Sequence, residues 1–133
     1  MSTLFEDSKK DPDKIFIIDY APLFSGLNAF EKNLVMQKSK VIEYKKGDIV
    51  YAQNSPPDAF FCVITGRIKI FIDGKKREPI EYLNCGKYFG MISVLTGEPH
   101  SVHAIAANDS KILRLSKEYF HVIQPHLMLA KLP

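Results

Sequence analysis

Gly86-Lys87-Tyr88-Phe89-Gly90-Met91-Ile92-Ser93-Val94-Leu95-Thr96-Gly97-Glu98-Pro99-His100-Ser101-Val102-His103-Ala104 is the stretch on which the reading of this chain turns. Gly86 and Gly90 bracket a short aromatic segment, and glycine lets the backbone turn sharply there without a Cβ penalty. Met91 to Leu95 supply about one turn of helix formers, which Thr96-Gly97 ends with a left-handed cap. Glu98-Pro99 forces extended or turn backbone, and His100 to Ala107 is expected to be a strand. A glycine followed by a short helix presents free N–H groups at the positive end of a dipole, which suits an anion. The stretch predicts a phosphate cradle inside a β protein.

On either side of the cradle the apolar residues alternate with a period of two. Before it, Val41–Tyr44, Ile49–Ala52, Ala59–Ile64, Arg67–Ile72 and Ile80–Leu83 read as strands. Ala59–Ile64 is apolar on both faces and so should be buried. In Arg67–Ile72, alternation places Ile68, Ile70 and Ile72 on one face and Arg67, Lys69 and Phe71 on the other. Lys45-Lys46-Gly47-Asp48, Thr65-Gly66 and Asp73-Gly74 are turns, and Gln53 to Asp58, with two prolines, is a loop. After the cradle, Ser101–Ala107 and Lys111–Leu115 are expected to pair as a hairpin across Asn108-Asp109. Ser116 then caps a final helix over 117–130, which Pro125 should kink or interrupt.

Ahead of the strands lies a helical lead-in, 12–40. Asp11-Pro12 reads as an N-cap followed by proline at the first helical position, giving a helix from Pro12 to about Tyr20. A second helix, broken at Ser25-Gly26, has its main body from Asn28 to Lys38, with Asn28 and Glu31 spaced as a capping box. Met1 to Lys10 is expected to be a disordered start. The whole predicts one domain over 11–133, a small β-roll (41–116) with helices gathered at its ends.

Composition narrows the functions. A net charge of +3, with Lys9-Lys10, Lys45-Lys46 and Lys75-Lys76-Arg77 scattered, gives no basic stripe for nucleic acid. No apolar run is long enough to span a membrane, and the polar start is not a signal peptide. The two cysteines, Cys62 and Cys85, lack metal spacing, which points to a reduced, cytoplasmic setting with both thiols buried. His100 and His103, three apart on one expected strand, should face opposite ways and so could not share a metal. His121 and His126 are about 140° apart on a helix. No nucleophile elbow, triad or carboxylate pair stands out, so the chain is read as a non-enzyme.

Phe89-Gly90-x-Ile92-Ser93-x-Leu95-Thr96-Gly97-Glu98-Pro99-x-Ser101 resembles the phosphate-binding cassette of cyclic nucleotide-binding domains, and the resemblance extends over roughly Tyr20 to His126. It implies a mainly β fold with flanking helices: an eight-stranded jelly-roll-like β-roll (a double-stranded β-helix) with a C-terminal helix that moves with ligand. It implies a regulatory, sensory role in signal transduction, and ligand-contacting positions at Phe89, Gly90, Met91, Ile92, Ser93, His100 and Ser101. The family's ligand is a cyclic nucleotide, cAMP or cGMP. There a glutamate after the glycine holds the ribose 2′-hydroxyl and an arginine holds the phosphate.

Here those positions are Met91 and His100. Methionine is a feeble acceptor, and histidine, with a reference pKa of about 6.5, is roughly a quarter protonated at neutral pH. Two lost charge-assisted hydrogen bonds would cost roughly 3–6 kcal/mol, about two to four decades of affinity. Three readings stand side by side: Met91 fills the ribose space inside the barrel; another small ligand, anionic or less polar, replaces the nucleotide; or cyclic nucleotide binding persists through His100. As to partners, the chain ends too soon after the last helix for a helix-turn-helix. It is therefore read as a module of a longer protein or one that signals through a partner, with the effector half of a catabolite-activator-type transcription regulator as an alternative. The apolar side of the last helix, with Leu127, Met128 and Leu129, is either a packing face or a homodimer seam.

Overall fold

The computed structural model describes residues 11–73 and 79–128. The expected disordered start, Gly74 of the Asp73-Gly74 turn and the Leu129 end of the final helix lie outside the described residues. Helix α1 (Pro12–Tyr20) starts where the Asp11 carboxylate accepts hydrogen bonds from the Asp13 and Lys14 amides at 3.1 and 3.2 Å. A 3-10 turn (Pro22–Phe24) leads to α2 (Ala29–Lys38). The capping box closes α2 as the spacing predicts: the Glu31 amide donates to Asn28 Oδ1, and the Asn28 amide donates to Glu31 Oε1, each at 2.9 Å.

Strands β1 (Lys40–Tyr44), β2 (Ile49–Tyr51), β3 (Ala59–Thr65), β4 (Ile68–Phe71), β5 (Glu81–Leu83) and β6 (Tyr88–Phe89) follow. Then come α3 (Met91–Thr96), β7 (His103–Ala106), β8 (Ser110–Ser116) and α4 (Lys117–Ile123), with a closing 3-10 turn over Gln124–His126. The strands form two antiparallel four-stranded sheets, β1-β8-β3-β6 and β2-β7-β4-β5. β3 is buried on both faces because it separates two cores. Phe61 and Val63 face the space between the sheets with Ile68, Ile70 and Ile112. Phe60, Cys62 and Ile64 face the helices, against Ile17, Phe24 and Phe120.

Several expectations are corrected. β7 and β8 do not form a hairpin: β7 pairs with β2 and β4, whereas β8 pairs with β1 and β3 in the other sheet. The link between them is anchored sideways, with the Ala107 amide donating to Arg67 O at 2.8 Å and the Lys46 amide donating to Asp109 Oδ1 at 2.9 Å. Gly66 (φ +91°) packs so closely that a Cβ there would lie 2.2 Å from Ser110 Oγ. These ties steer the chain across the roll.

His100 lies outside β7. Its amide donates to Ser55 O at 2.9 Å, and its carbonyl accepts from the Asn54 amide at 2.7 Å, so it pairs with a loop whose prolines cannot extend a ladder. Ile72 lies past the end of β4 and is 39% exposed, while Phe71, expected on the opposite face, is buried. Pairing ends at Phe71↔His103 and the chain leaves the sheet there.

The final helix stops at Ile123, not near 130, and Pro125 sits in the 3-10 turn where its missing N–H is tolerated. Ser116 occupies the N-cap position of α4 without capping; its hydroxyl accepts from Arg114 Nη1 at 3.2 Å. Leu127 is buried in the molecule's own core, whereas Met128 is exposed. Cys62 is buried and burial pushes its thiol up to about 12, but Cys85 is only half-buried.

Candidate ligand-binding cradle

A cavity of about 290 Å³ opens between β6, α3 and the inner face of the β2-β7-β4-β5 sheet. All seven positions picked from the sequence line it: Phe89, Gly90, Met91, Ile92, Ser93, His100 and Ser101. β6 delivers Phe89 through its register with Phe61, and the two rings stack at 5.2 Å. Gly90 (φ +78°) then turns the chain into α3. A Cβ there would meet the rings of Phe61, His100 and Tyr51 at 3.3–3.4 Å, so glycine is needed both for the turn and for the close aromatic packing. Gly97 (φ +76°) ends the helix, its amide donating to Ser93 O at 2.8 Å.

Within α3 the side chains part company. Ile92 is 78% exposed at the mouth. Ser93 is buried, with its hydroxyl 3.5 Å from Pro99 O, a long and weak contact. Met91 is buried too. It touches the cavity wall, yet it packs with Val94 into the core shared with the helices. Position 91 is the first residue of α3, and α3 packs against β3.

His100 is 3% exposed, and its ring lies flat on Tyr51 at 3.7 Å and 10°. Burial lowers its pKa, and the Asp58 carboxylate partly opposes this. The imidazole is therefore neutral at pH 7. Burial likewise pushes the Tyr51 phenol up. Among the described residues that line the cavity, Glu81 is the one charged group, and it is exposed at the rim. His103 does not join His100. Its Nδ1 accepts from the Gln53 amide at 3.0 Å, and its Nε2 lies 2.8 Å from Asp73 Oδ2. His126 Nδ1 meets Glu31 Oε2 at 2.6 Å.

Sequence reasoning missed Tyr51, Ile70, Ile80, Glu81, Leu83, Tyr88 and Val102. They come from β2, β4, β5, β6 and the approach to β7, and nothing local in those segments marks them as lining one space. Only the aromatic residue at the end of β2, just before a proline loop, carried a faint signal.

The family model of the cyclic nucleotide-binding domain matches residues 41–124. The cAMP-dependent protein kinase regulatory subunit of Aspergillus niger is 27% identical over 103 residues, which cover 77% of this chain and 25% of that protein. The chain thus spans about a quarter of the length of the cAMP-dependent protein kinase regulatory subunits it matches. Among solved structures, PfPKA-R with cAMP bound superposes with a TM-score of 0.81 at 21% identity, covering 92% of this chain and 42% of that one. The regulatory subunit of a cAMP-independent protein kinase A from Trypanosoma cruzi, bound to guanosine, has a TM-score of 0.81 at 15% identity, covering 94% and 44%. These likenesses establish a shared fold.

Proposed function

We propose, for a chain that belongs to the cyclic nucleotide-binding domain family, that its cradle is the ligand pocket of a regulatory module and that it takes an uncharged ligand of nucleoside size rather than cAMP or cGMP. The observation that carries this reading is His100. At the position where the family places an arginine stands a buried imidazole stacked on Tyr51, kept neutral by its burial. A cyclic phosphate entering here meets no cation among the described lining residues and one carboxylate, Glu81. Met91 offers only a feeble acceptor to a ribose hydroxyl. The aromatic wall of Tyr51, Tyr88 and Phe89 suits a flat, uncharged ring. The guanosine in the T. cruzi neighbour is a ligand of that kind on the same fold.

Calorimetric titration with cAMP, cGMP and guanosine at pH 6 and pH 8 tests this. Guanosine is expected to bind at both pH values alike, with the cyclic nucleotides weaker by about two decades or more. Micromolar cyclic nucleotide binding overturns the reading. If that binding faded at pH 8, protonated His100 would be the phosphate partner, and the chain would be a cyclic nucleotide sensor after all.

A further inference from the structure

Behind the cradle lies a second cavity of about 240 Å³, and the stacked Tyr51 and His100 rings stand in the wall common to both. Val50, Ala59 and Phe61 give it an apolar surface, while Arg114 and Asp58 bring opposite charges to it. Arg114 stands on β8, two residues from Ile112, and so shares the face that Ile112 turns to the space between the sheets. It is half-buried, and its Nη1 donates to Ser116 Oγ at 3.2 Å. Among the described residues no carboxylate is in ion-pair range of its guanidinium, and no cation is in range of Asp58. Asp58 is nonetheless held in place: its carbonyl accepts from the Lys117 amide at 2.9 Å and its amide donates to Pro56 O at 3.0 Å.

A guanidinium partly withdrawn from water without a counter-charge is unfavourable. Its planar fork matches a carboxylate. A ligand bearing only a carboxylate would satisfy Arg114 but confront Asp58 with a like charge, and a simple amine would leave Arg114 unmatched. One molecule carrying both charges satisfies both. The cavity, about 240 Å³, has room for a small free amino acid, and its Val50 and Phe61 surface suits an aliphatic side chain. We propose that this second cavity binds a free α-amino acid with a small aliphatic side chain, its carboxylate on Arg114, its ammonium on Asp58 and its side chain against Phe61 and Val50. The site is separate from the cradle's ligand and does not depend on which molecule that is.

Titration calorimetry of the whole chain with L-valine and L-leucine tests it, beside isobutylamine, which lacks the carboxylate, and isovalerate, which lacks the ammonium. The amino acids are expected to bind saturably, and the amine and the acid about tenfold more weakly or not at all. Arg114→Gln and Asp58→Asn should each weaken amino-acid binding by about tenfold or more, and Arg114→Lys, which keeps the charge but loses the fork, should fall between. Asp58 is exposed, so Asp58→Asn keeps the test valid even where an Arg114 variant folds poorly. No saturation by either amino acid at millimolar concentration overturns the proposal. So does isovalerate binding as tightly as valine, or Asp58→Asn binding as tightly as the unaltered chain.

Discussion

At the scale of single residues, the cradle is decided by two substitutions and one glycine. His100→Arg restores a permanent cation with a bidentate fork, and it is expected to raise cAMP affinity by about one to two decades, the worth of one charge-assisted hydrogen bond. Calorimetry reads this directly, and an unchanged affinity would mean that the Tyr51 stack holds position 100 away from any phosphate. Gly90 has no such tolerance. A Cβ there would combine a left-handed φ with contact against three aromatic rings, so Gly90→Ala should destabilise the fold by about 1–2 kcal/mol or more, measured by urea unfolding. Both positions were legible in the sequence because they sit inside one contiguous motif. Tyr51 and Glu81 were not, because they reach the cavity from strands far away in the chain.

At the scale of elements, α2 joins local capping to a long-range tie. Glu31 is buried, its Oε1 accepts from the Asn28 amide, and its Oε2 meets His126 on the C-terminal 3-10 turn. The Asn28 amide holds the Glu31 carboxyl below its ordinary range; burial opposes this and His126 adds to the lowering. A carboxyl with a depressed folded pKa contributes stability that is fully present above its unfolded value, here 4.5, and lost as pH falls through the folded value. Urea midpoints of the unaltered chain should therefore fall on acidification below that point, and in Glu31→Gln this part of the fall should vanish. Asn28→Ala removes the other half of the box and should cost about 1 kcal/mol. The capping box was visible as a spacing of three residues. The His126 tie was not, since ninety-five positions separate its partners. The same limit explains β7 and β8: Asn108-Asp109 looks like a hairpin turn, but hydrogen bonds to Arg67 and Lys46 carry the chain into the opposite sheet.

At the scale of the whole molecule, β3 is the shared wall of two cores, and its faces answer to different neighbours. Phe60 is 1% exposed and packs between Phe24 and Phe120. Phe60→Ala should cost about 3–5 kcal/mol, a large share of the about 5–15 kcal/mol that holds an ordinary domain together. A urea midpoint shifted by much less would show that the helices re-pack onto β3. What the sequence determined by itself was what period and neighbours carry: helices first, then strands, the glycine-flanked cradle, and the caps at Asp11 and Asn28; the departures at Met91 and His100 were legible only beside the family resemblance. Period and capping are written within a few residues because backbone hydrogen bonds and side-chain directions repeat over that distance. Tertiary structure alone decided which sheet took β8, that Met91 packs with the helices, that His100 is neutral on Tyr51, and that Arg114 and Asp58 share a cavity. Those outcomes depend on burial and on contacts between residues distant in the chain, and neither is encoded in any short stretch of it.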